Sequence, residues 1–166
     1  MNTSTFALVV LSSLFADRQD PAWHSDYRRA QALSSAQNKP MALIFGTGQQ
    51  GWSRIALEGK MDAAGAKLLA DKYVCVYADT ASPAGKALAA MFDIQRDQGV
   101  VLSDRTGAAQ AFWHQGQLSN QNLARYLQKY ANDQTVVRTT ETVNMSRTSF
   151  YPSSSGASLA GTICTT

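Results

Sequence analysis

The sequence predicts an α/β domain in which a mixed sheet of about four strands lies between helices on both faces. Two short apolar runs, 41–45 and 73–77, are typical of strands that are buried on both faces. They alternate with segments whose apolar residues recur at helical spacing. Strands that are joined through helices run parallel, whereas a hairpin predicted near residue 105 adds an antiparallel pair. The sheet is therefore expected to be mixed.

The first helix is predicted from an apolar face that begins with a tryptophan. Its members recur at spacings of four, three and three residues: Trp23, Tyr27, Ala30 and Leu33. The residue before a proline avoids the helical region, so this helix is expected to end at Asn38-Lys39-Pro40. The strand 41–45 follows, and the glycine-containing segment 46–51 is predicted to be a flexible loop.

A second helix is predicted after that loop, because apolar residues again recur at helical spacing: Leu57, Met61, Ala64 and Leu68. The strand 73–77 comes next, and the alanine-rich segment 83–91 is predicted to be the third helix. Ser119 is expected to cap a final helix whose apolar face carries two leucines and two tyrosines: Leu123, Tyr126, Leu127 and Tyr130.

The predicted hairpin joins the last two strands. Residues 100–102 form a β-rich run, and Asp104-Arg105-Thr106-Gly107 has the composition of a turn with glycine at its last position. Residues 108–114 are the partner strand. The predicted order of elements is therefore α-β-α-β-α-β-β-α.

Composition excludes several classes of function. The chain has 166 residues, of which 45% are hydrophobic and 16% are charged, and this is sufficient for one ordinary core. Its net charge of +3 comes from scattered basic residues, so no nucleic-acid-binding stripe is predicted. Two cysteines, Cys75 and Cys164, and two distant histidines, His24 and His114, do not match a metal motif. We therefore expect no metal and no other cofactor.

Residues 1–16 resemble a secretory signal. Their apolar run of about eleven residues is shorter than the ~20 that a membrane span needs, and Ala16 is a suitable last residue before cleavage. No stable membrane span is expected. The protein is predicted to be exported to a periplasmic or extracellular location. The alternative is an N-terminal strand or helix that packs on a cytoplasmic domain.

The folded domain is expected to cover residues 17–132, and residues 133–166 are predicted to be a disordered tail. The tail is rich in Ser and Thr and has few apolar residues, so it cannot bury enough surface to offset chain entropy. The alternative is that Val136-Val137 or Phe150-Tyr151 docks on the edge of the sheet. Cys164 is expected to be exposed, as a free thiol or a cross-link.

The order and spacing of several motifs resemble the thioredoxin-like superfamily, above all its secreted bacterial forms. Members open with a tryptophan, a helix and Lys-Pro before the first central strand, as Trp23 and Lys39-Pro40 do here. A later strand ends in Asp, which corresponds to Asp79, and an apolar element follows the third helix, which corresponds to 92–94. The Asp-x-x-Gly turn at 104–107 completes the resemblance, which covers 23–131 and implies a three-layer thioredoxin-like fold.

The departures from the family pattern concern its redox site. Counted from Phe45, the two cysteines of the family's Cys-x-x-Cys motif correspond to Gln50 and Ser53, with Gly51-Trp52 between them. The family's cis-proline corresponds to Gln98. Neither an amide nor a hydroxyl exchanges disulfides, and a cis bond before a residue other than proline costs ~3 kcal/mol. Both halves of the redox site are therefore absent, and no catalytic residue is assigned.

Cys75 is not expected to replace the missing thiols, because it lies within an apolar strand and a buried free cysteine behaves as a small hydrophobe. Ser53 as a hydrolase nucleophile would need a base, and we favour its role as the cap of a helix. The string Gly46-x-Gly48-x-x-Gly51 resembles a dinucleotide loop but lacks the acidic residue expected about 20 residues later.

Trp52 and Trp113 are candidates for a contact surface, because exposed aromatic residues beside a loop are typical of interfaces; the alternative is local packing. The sequence therefore predicts a degenerate, redox-inactive thioredoxin-like domain that binds a protein or peptide or is associated with the cell envelope. Thiol-disulfide oxidoreductase activity is not expected. The alternative function is that of a related oxidoreductase or chaperone that acts without its own Cys-x-x-Cys.

Overall fold

The computed structural model describes residues 20–143 and 146–147. Within them, four α-helices and a short 3₁₀ helix accompany one mixed sheet. The helices are α1 (Tyr27–Gln37), α2 (Ala63–Lys72), α3 (Pro83–Met91), α4 (Asn120–Ala131) and the 3₁₀ helix (Gly51–Ile55). The strands are β1 (Trp23–His24), β2 (Met41–Gly46), β3 (Val74–Asp79), β4 (Gly99–Ser103), β5 (Gln110–Gln115), β6 (Thr140–Glu141) and β7 (Ser146–Arg147).

The strands lie in the order β1-β3-β2-β4-β5-β6-β7. Both β1 and β2 run parallel to β3, whereas β4 is antiparallel to β2 and to β5. The mixed sheet is as predicted, but the described residues contain seven strands rather than about four. The three additional strands, β1, β6 and β7, have two residues each. Alternation of side chains cannot be detected over so short a length, so tertiary pairing defines these strands.

Two cores lie on opposite faces of the sheet. All six residues of β2 are buried, and their side chains alternate between the cores. Ala42 and Ile44 pack with α2 and α4, whereas Met41, Leu43 and Phe45 pack with α1 and α3. The continuous apolar run at 41–45 therefore reflects burial on both faces, as predicted.

The first helix starts later than its apolar face predicts. Trp23 belongs to β1, and α1 begins at Tyr27 after the N-cap Asp26, whose Oδ1 accepts a hydrogen bond from Arg29 N at 3.1 Å. The spacing of Trp23 from Tyr27 matches a helix by coincidence, because a strand and a helix place these two side chains against different cores. The end of α1 at Asn38, which has a positive φ of 51°, agrees with the prediction.

The second helix is also shorter than predicted. It begins at Ala63 after the N-cap Asp62, whose Oδ1 accepts from Gly65 N at 2.7 Å. Leu57, expected on its apolar face, is 62% exposed, and Met61 is buried in the preceding segment. There are two reasons: Asp62 is a strong N-cap, and the chain before it is paired with a segment that is distant in the sequence.

The folded part of the chain extends past the boundary that the sequence predicts at residue 132. Residues 133–143 follow α4 and include β6, which pairs in parallel with β5 through Phe112 and Glu141. Thr140 is fully buried, and Val137 and Val143 pack against the core on the α2 and α4 side. For these residues the expected disorder is wrong, because strand pairing compensates for their low hydrophobicity. Phe150-Tyr151, Cys164 and residues 1–16 lie outside the described residues.

Candidate functional site

The four positions that match the redox motif lie where β2 ends. Gln50 is exposed, Gly51 is buried, and Trp52 and Ser53 are half-buried in the 3₁₀ helix. Ser53 N donates to Gln50 O at 3.2 Å, and Ser53 Oγ donates to the same oxygen at 2.9 Å. Ser53 is therefore not the helix cap that we expected: its hydroxyl proton is held by a carbonyl one turn earlier. That bond also keeps the hydroxyl from donating to a base.

No α-helix begins at this motif. The 3₁₀ helix ends at Ile55, and α2 begins only at Ala63. In the thioredoxin-like family the resemblance implies a helix N-terminus at the motif, where backbone N–H groups and the helix dipole favour a thiolate. Here α2 begins at Ala63, ten residues after Ser53. Residues 50–53 therefore have neither thiols nor the N-terminus of an α-helix.

The chain between the two helices is tied to the connection between β5 and α4. Leu57 N donates to Leu118 O at 2.8 Å, and Leu118 N donates to Ile55 O at 2.9 Å. Gln117 Nε2 donates to Arg54 O at 2.8 Å. Asn120 adds further hydrogen bonds to this segment from both its backbone and its side chain. This pairing explains why residues 56–62 do not continue as a helix.

The glycines of the loop allow two pieces of backbone to approach closely. A Cβ on Gly46 would lie 2.8 Å from Gly51 O, and a Cβ on Gly51 would lie 2.2 Å from the hydroxyl of Tyr77. Gly48 has a φ of 79°, which glycine adopts without strain. The spacing that resembles a dinucleotide loop is thus explained by packing, and no α-helix starts directly after it.

Residues at the end of β3 hold the loop from the other side. Tyr77 donates its hydroxyl hydrogen to Gly48 O, and Asp79 Oδ1 accepts from Gly48 N and Ala81 N, each at 3.0 Å. These two backbone hydrogen bonds lower the pKa of Asp79. Thr80 Oγ1 contacts Gly46 O at 3.1 Å and Asp97 O at 3.0 Å. Sequence reasoning missed Tyr77 and Thr80, and a polar residue directly after the strand-ending Asp was the available signal.

Gln98, which matches the family's cis-proline, lies beside this loop. No peptide bond among residues 20–143 and 146–147 is cis. Gln98 O accepts a hydrogen bond from Gly116 N at 2.9 Å. A shallow, mostly polar cleft of about 410 Å³ is lined by Thr47, Arg96, Asp97, Gln98, Gly116 and Gln117. The structure therefore brings Gln98 and the loop after β2 to the same cleft.

Cys75 lies away from this cleft. It is 2% exposed, and its Sγ donates to Leu69 O at 3.4 Å. Burial raises the pKa of the thiol to about 12. The predicted burial of Cys75 within an apolar strand is confirmed.

Trp52 and Trp113 do not share one surface. Trp52 packs against the core on the α2 and α4 side, with its ring centroid 5.3 Å from that of Trp23. Trp113 packs against the opposite core, and its Nε1 donates to Phe92 O at 2.8 Å. Both are half-buried. Local packing therefore accounts for both residues, and a contact surface could include only one of them.

The histidines do not complete a catalytic arrangement. His24 lies on β1 and His114 on β5, and β3, β2 and β4 separate these strands in the sheet. Burial lowers the pKa of His114, although its hydrogen bond to Gln117 O acts in the opposite direction. In the part of the chain that the structure describes, no three His, Cys, Asp or Glu residues are grouped to hold a metal.

No described helix is long and apolar enough to cross a membrane.

Comparisons with known proteins bear on the fold. No protein-family model and no curated protein matches the sequence. The chain is similar to the solution structure of a thioredoxin from Thermus thermophilus, with a TM-score of 0.52 and 19% sequence identity. The match covers 66% of this chain and 85% of the thioredoxin. Together with the strand order and the positions of the motifs, this similarity shows that the domain has a thioredoxin-like fold.

Proposed function

We propose that this protein is a redox-inactive thioredoxin-like domain that binds a protein or peptide, in the cell envelope or outside the cell. The observation that carries the proposal is the content of the motif: Gln50 and Ser53 occupy the thiol positions, and Ser53 Oγ is hydrogen-bonded to Gln50 O at 2.9 Å. A disulfide exchange needs a thiolate that attacks a sulfur atom. Neither side chain supplies one.

Cys75, which lies on β3, does not replace the missing thiols. Cys75 is buried between β1 and β2, and the raised pKa keeps its thiol protonated at neutral pH. A reactive cysteine is normally exposed and has a lowered pKa. A redox role would therefore have to use a thiol outside the described domain.

Binding is supported by the cleft between the loop after β2 and the loop before β4. Thr47 and Gln98 lie on its two sides, and Gly116 contributes backbone without a side chain. Thr80 connects the end of β2 to the loop before β4, because its N donates to Gly46 O at 2.8 Å and its Oγ1 can donate to Asp97 O at 3.0 Å. The walls of the cleft are therefore held in place without a ligand. A pre-formed polar cleft is suited to an extended peptide.

The binding proposal is tested by selecting peptides from a random display library on the immobilised full-length protein. Peptides that use the cleft should bind the wild type and lose at least about tenfold in affinity for Thr47→Trp, whose bulky side chain would fill the cleft. Ala87→Trp is the matched control, because Ala87 is exposed on α3 and does not line this cleft. Selected peptides that bind both variants equally, or a library that yields no binder, would contradict the proposal.

The second candidate is an oxidoreductase-related protein or chaperone that acts through Cys164. An insulin-reduction assay distinguishes it from the first candidate. We expect turnover no faster than that of free dithiothreitol. Faster turnover that Cys164→Ala abolishes, and Cys75→Ala leaves unchanged, would favour the second candidate.

The export part of the proposal rests on residues 1–16. N-terminal sequencing of the native mature protein, isolated from separated cell fractions, tests it. We expect the mature chain to begin at Asp17 in an exported fraction. A chain that retains residues 1–16 in the cytoplasmic fraction would contradict export and leave the binding proposal standing.

A further inference from the structure

The segment that follows α4 lies along the edge of the sheet. We call residues 133–143 the C-terminal strap. Thr140 is its anchor: the residue is fully buried, and its Oγ1 donates to Gln110 O at 2.8 Å. The next residue, Glu141, pairs with Phe112 of β5. The strap thus continues the sheet at its β5 edge.

Glu141 also joins the strap to α4. Its Oε2 accepts a hydrogen bond from the hydroxyl of Tyr130 at 2.5 Å and another from Lys129 Nζ. Tyr130 belongs to an aromatic cluster, in which the ring of Phe112 is stacked on that of Tyr126 with centroids 4.1 Å apart and is tilted relative to that of Tyr130 at 6.5 Å. One carboxylate therefore connects the strap to the helix that carries two of these rings.

Apart from these contacts the strap has little buried surface. Thr140 is its one buried residue; Val137 is half-buried and Val136 is 75% exposed. Segments with few buried apolar contacts open at a much lower free energy than the core of the same domain. The attachment of the strap should therefore depend mainly on the pairing of β6, on Thr140 and on the carboxylate of Glu141.

We propose that Glu141 is a latch, and that acid opens the C-terminal strap as a unit, uncovering the aromatic face of Phe112, Tyr126 and Tyr130 while the rest of the domain stays folded. A protonated carboxyl loses its ion pair with Lys129 and its charge-assisted hydrogen bond with Tyr130. The contacts that do not depend on this charge include the pairing of β6 with β5 and β7, the hydrogen bond from Thr135 Oγ1 to Lys129 O, the buried Thr140 and the half-buried valines. This opening would make the edge of the sheet a pH-dependent surface.

The charges around Glu141 set the direction of the pH effect. Burial would raise its pKa above the ordinary 4.5, but the hydrogen bonds from Lys129 and Tyr130, with the charges of Lys129 and Arg125, outweigh burial and lower it. The titratable residue of β5 is His114, which is stacked on Phe112 with centroids 6.5 Å apart. A lowered pKa stabilises the closed strap above pH 4.5, and this contribution is lost as the pH falls through the folded-state pKa.

Amide hydrogen exchange of the full-length protein, followed by mass spectrometry and corrected for the intrinsic pH dependence, tests the latch. At pH 7 we expect the strap of Glu141→Gln to exchange about tenfold faster than that of the wild type, since one charged contact is lost. Acid should accelerate the wild-type strap below pH 4.5 and have a much smaller effect on the variant. Asp71→Asn is the matched control, because it breaks the exposed Lys67–Asp71 pair at 2.9 Å.

Exchange of β2 is the internal reference for global unfolding, since all its residues are buried. The proposal expects β2 to stay protected in both variants and in acid. It is overturned if the strap of Glu141→Gln exchanges as slowly as those of the wild type and Asp71→Asn. It is also overturned if the strap and β2 lose protection together, whether in acid or in the variant.

Discussion

Replacing Gly85 with alanine should destabilise the domain, although the same change in an exposed helix is usually favourable. Gly85 lies in the first turn of α3, where the helix packs directly on the end of β3. A Cβ at this position would lie 1.9 Å from Asp79 O and 2.5 Å from Asp79 C. Ordinary contacts between carbon and a carbonyl oxygen are about 3.3–3.6 Å, so α3 would have to move by more than ~1 Å.

The two opposing effects can be compared. Alanine has a helix propensity about 1 kcal/mol better than glycine, and overpacking against rigid backbone costs about 3 kcal/mol. The expected net loss is therefore about 2 kcal/mol, or a fall in Tm of about 8 °C for a domain of this size. Gly65→Ala in α2 is the matched control, because its Cβ would meet side-chain atoms of Asp62 and Met61 at 3.0 Å and 3.2 Å. It should change the stability by less than ~1 kcal/mol. Thermal melts that find Gly85→Ala as stable as the wild type would refute the packing argument.

Three further predictions concern the rest of the domain. Arg105 donates to the carbonyl of Asn38, the C-cap of α1, at 3.2 Å and to that of Ala131, the last residue of α4, at 2.7 Å. Arg105→Lys, which cannot reach both, should therefore lower the free energy of unfolding in urea by about 1–2 kcal/mol. An unchanged midpoint would argue against this role of Arg105. The second prediction concerns the reaction rate of Cys75 with a thiol reagent at pH 8, measured in a Cys164→Ser background. The rate should be at least about a hundredfold lower in the native state than in urea, because burial raises the pKa of Cys75 to about 12. Equal rates would contradict its burial. The third prediction compares two truncated chains. Ending the chain after Asn132 removes the buried Thr140 and should lower the Tm by more than ~5 °C, whereas ending it after residue 147 should leave the Tm nearly unchanged. Equal Tm values for the two truncated chains would show that the strap adds no stability.

Local sequence predicted the central elements because their structure depends on nearby residues. The turn at 104–107 is one example: Gly107 has a φ of 69°, and Asp104 Oδ1 accepts from Ala108 N and Ala109 N at 3.1 Å. Another is Ser119, whose Oγ accepts from Asn122 N at 3.3 Å and caps α4 as predicted. Turn and cap signals are formed by side chains that act on their own backbone, so they can be read without the fold.

The predictions that are wrong concern segments whose structure depends on residues distant in the sequence. The pairing of 54–57 with 117–118 ends the 3₁₀ helix, and the pairing of β6 with β5 orders the strap. In each pairing, neither segment has a local sequence pattern that indicates the segment with which it pairs. The candidate site was located by resemblance at 50–53 and 98, and the structure brings Gln98 to a cleft with Thr47 of the loop that precedes 50–53. The polar residue after Asp79 was a local signal for Thr80, but the contact partners of Tyr77 and Thr80 depend on how β3 lies beside the loop.

The most direct measurement concerns the central claim that residues 50–53 occupy the place of the redox motif. Gln50 and Ser53 lie in one turn, which is closed by the hydrogen bond from Ser53 N to Gln50 O at 3.2 Å. Their Cα atoms should therefore lie within the separation of about 4.4–6.8 Å that a disulfide requires. The double variant Gln50→Cys with Ser53→Cys should then form a disulfide. Gln50→Cys with Arg54→Cys is the control, because residues four apart point in different directions on a 3₁₀ helix of three residues per turn. After mild oxidation, mass spectrometry should show the loss of two hydrogens and a bond between positions 50 and 53 in the first variant alone. Free thiols at both positions of that variant would contradict the alignment on which the proposed function depends.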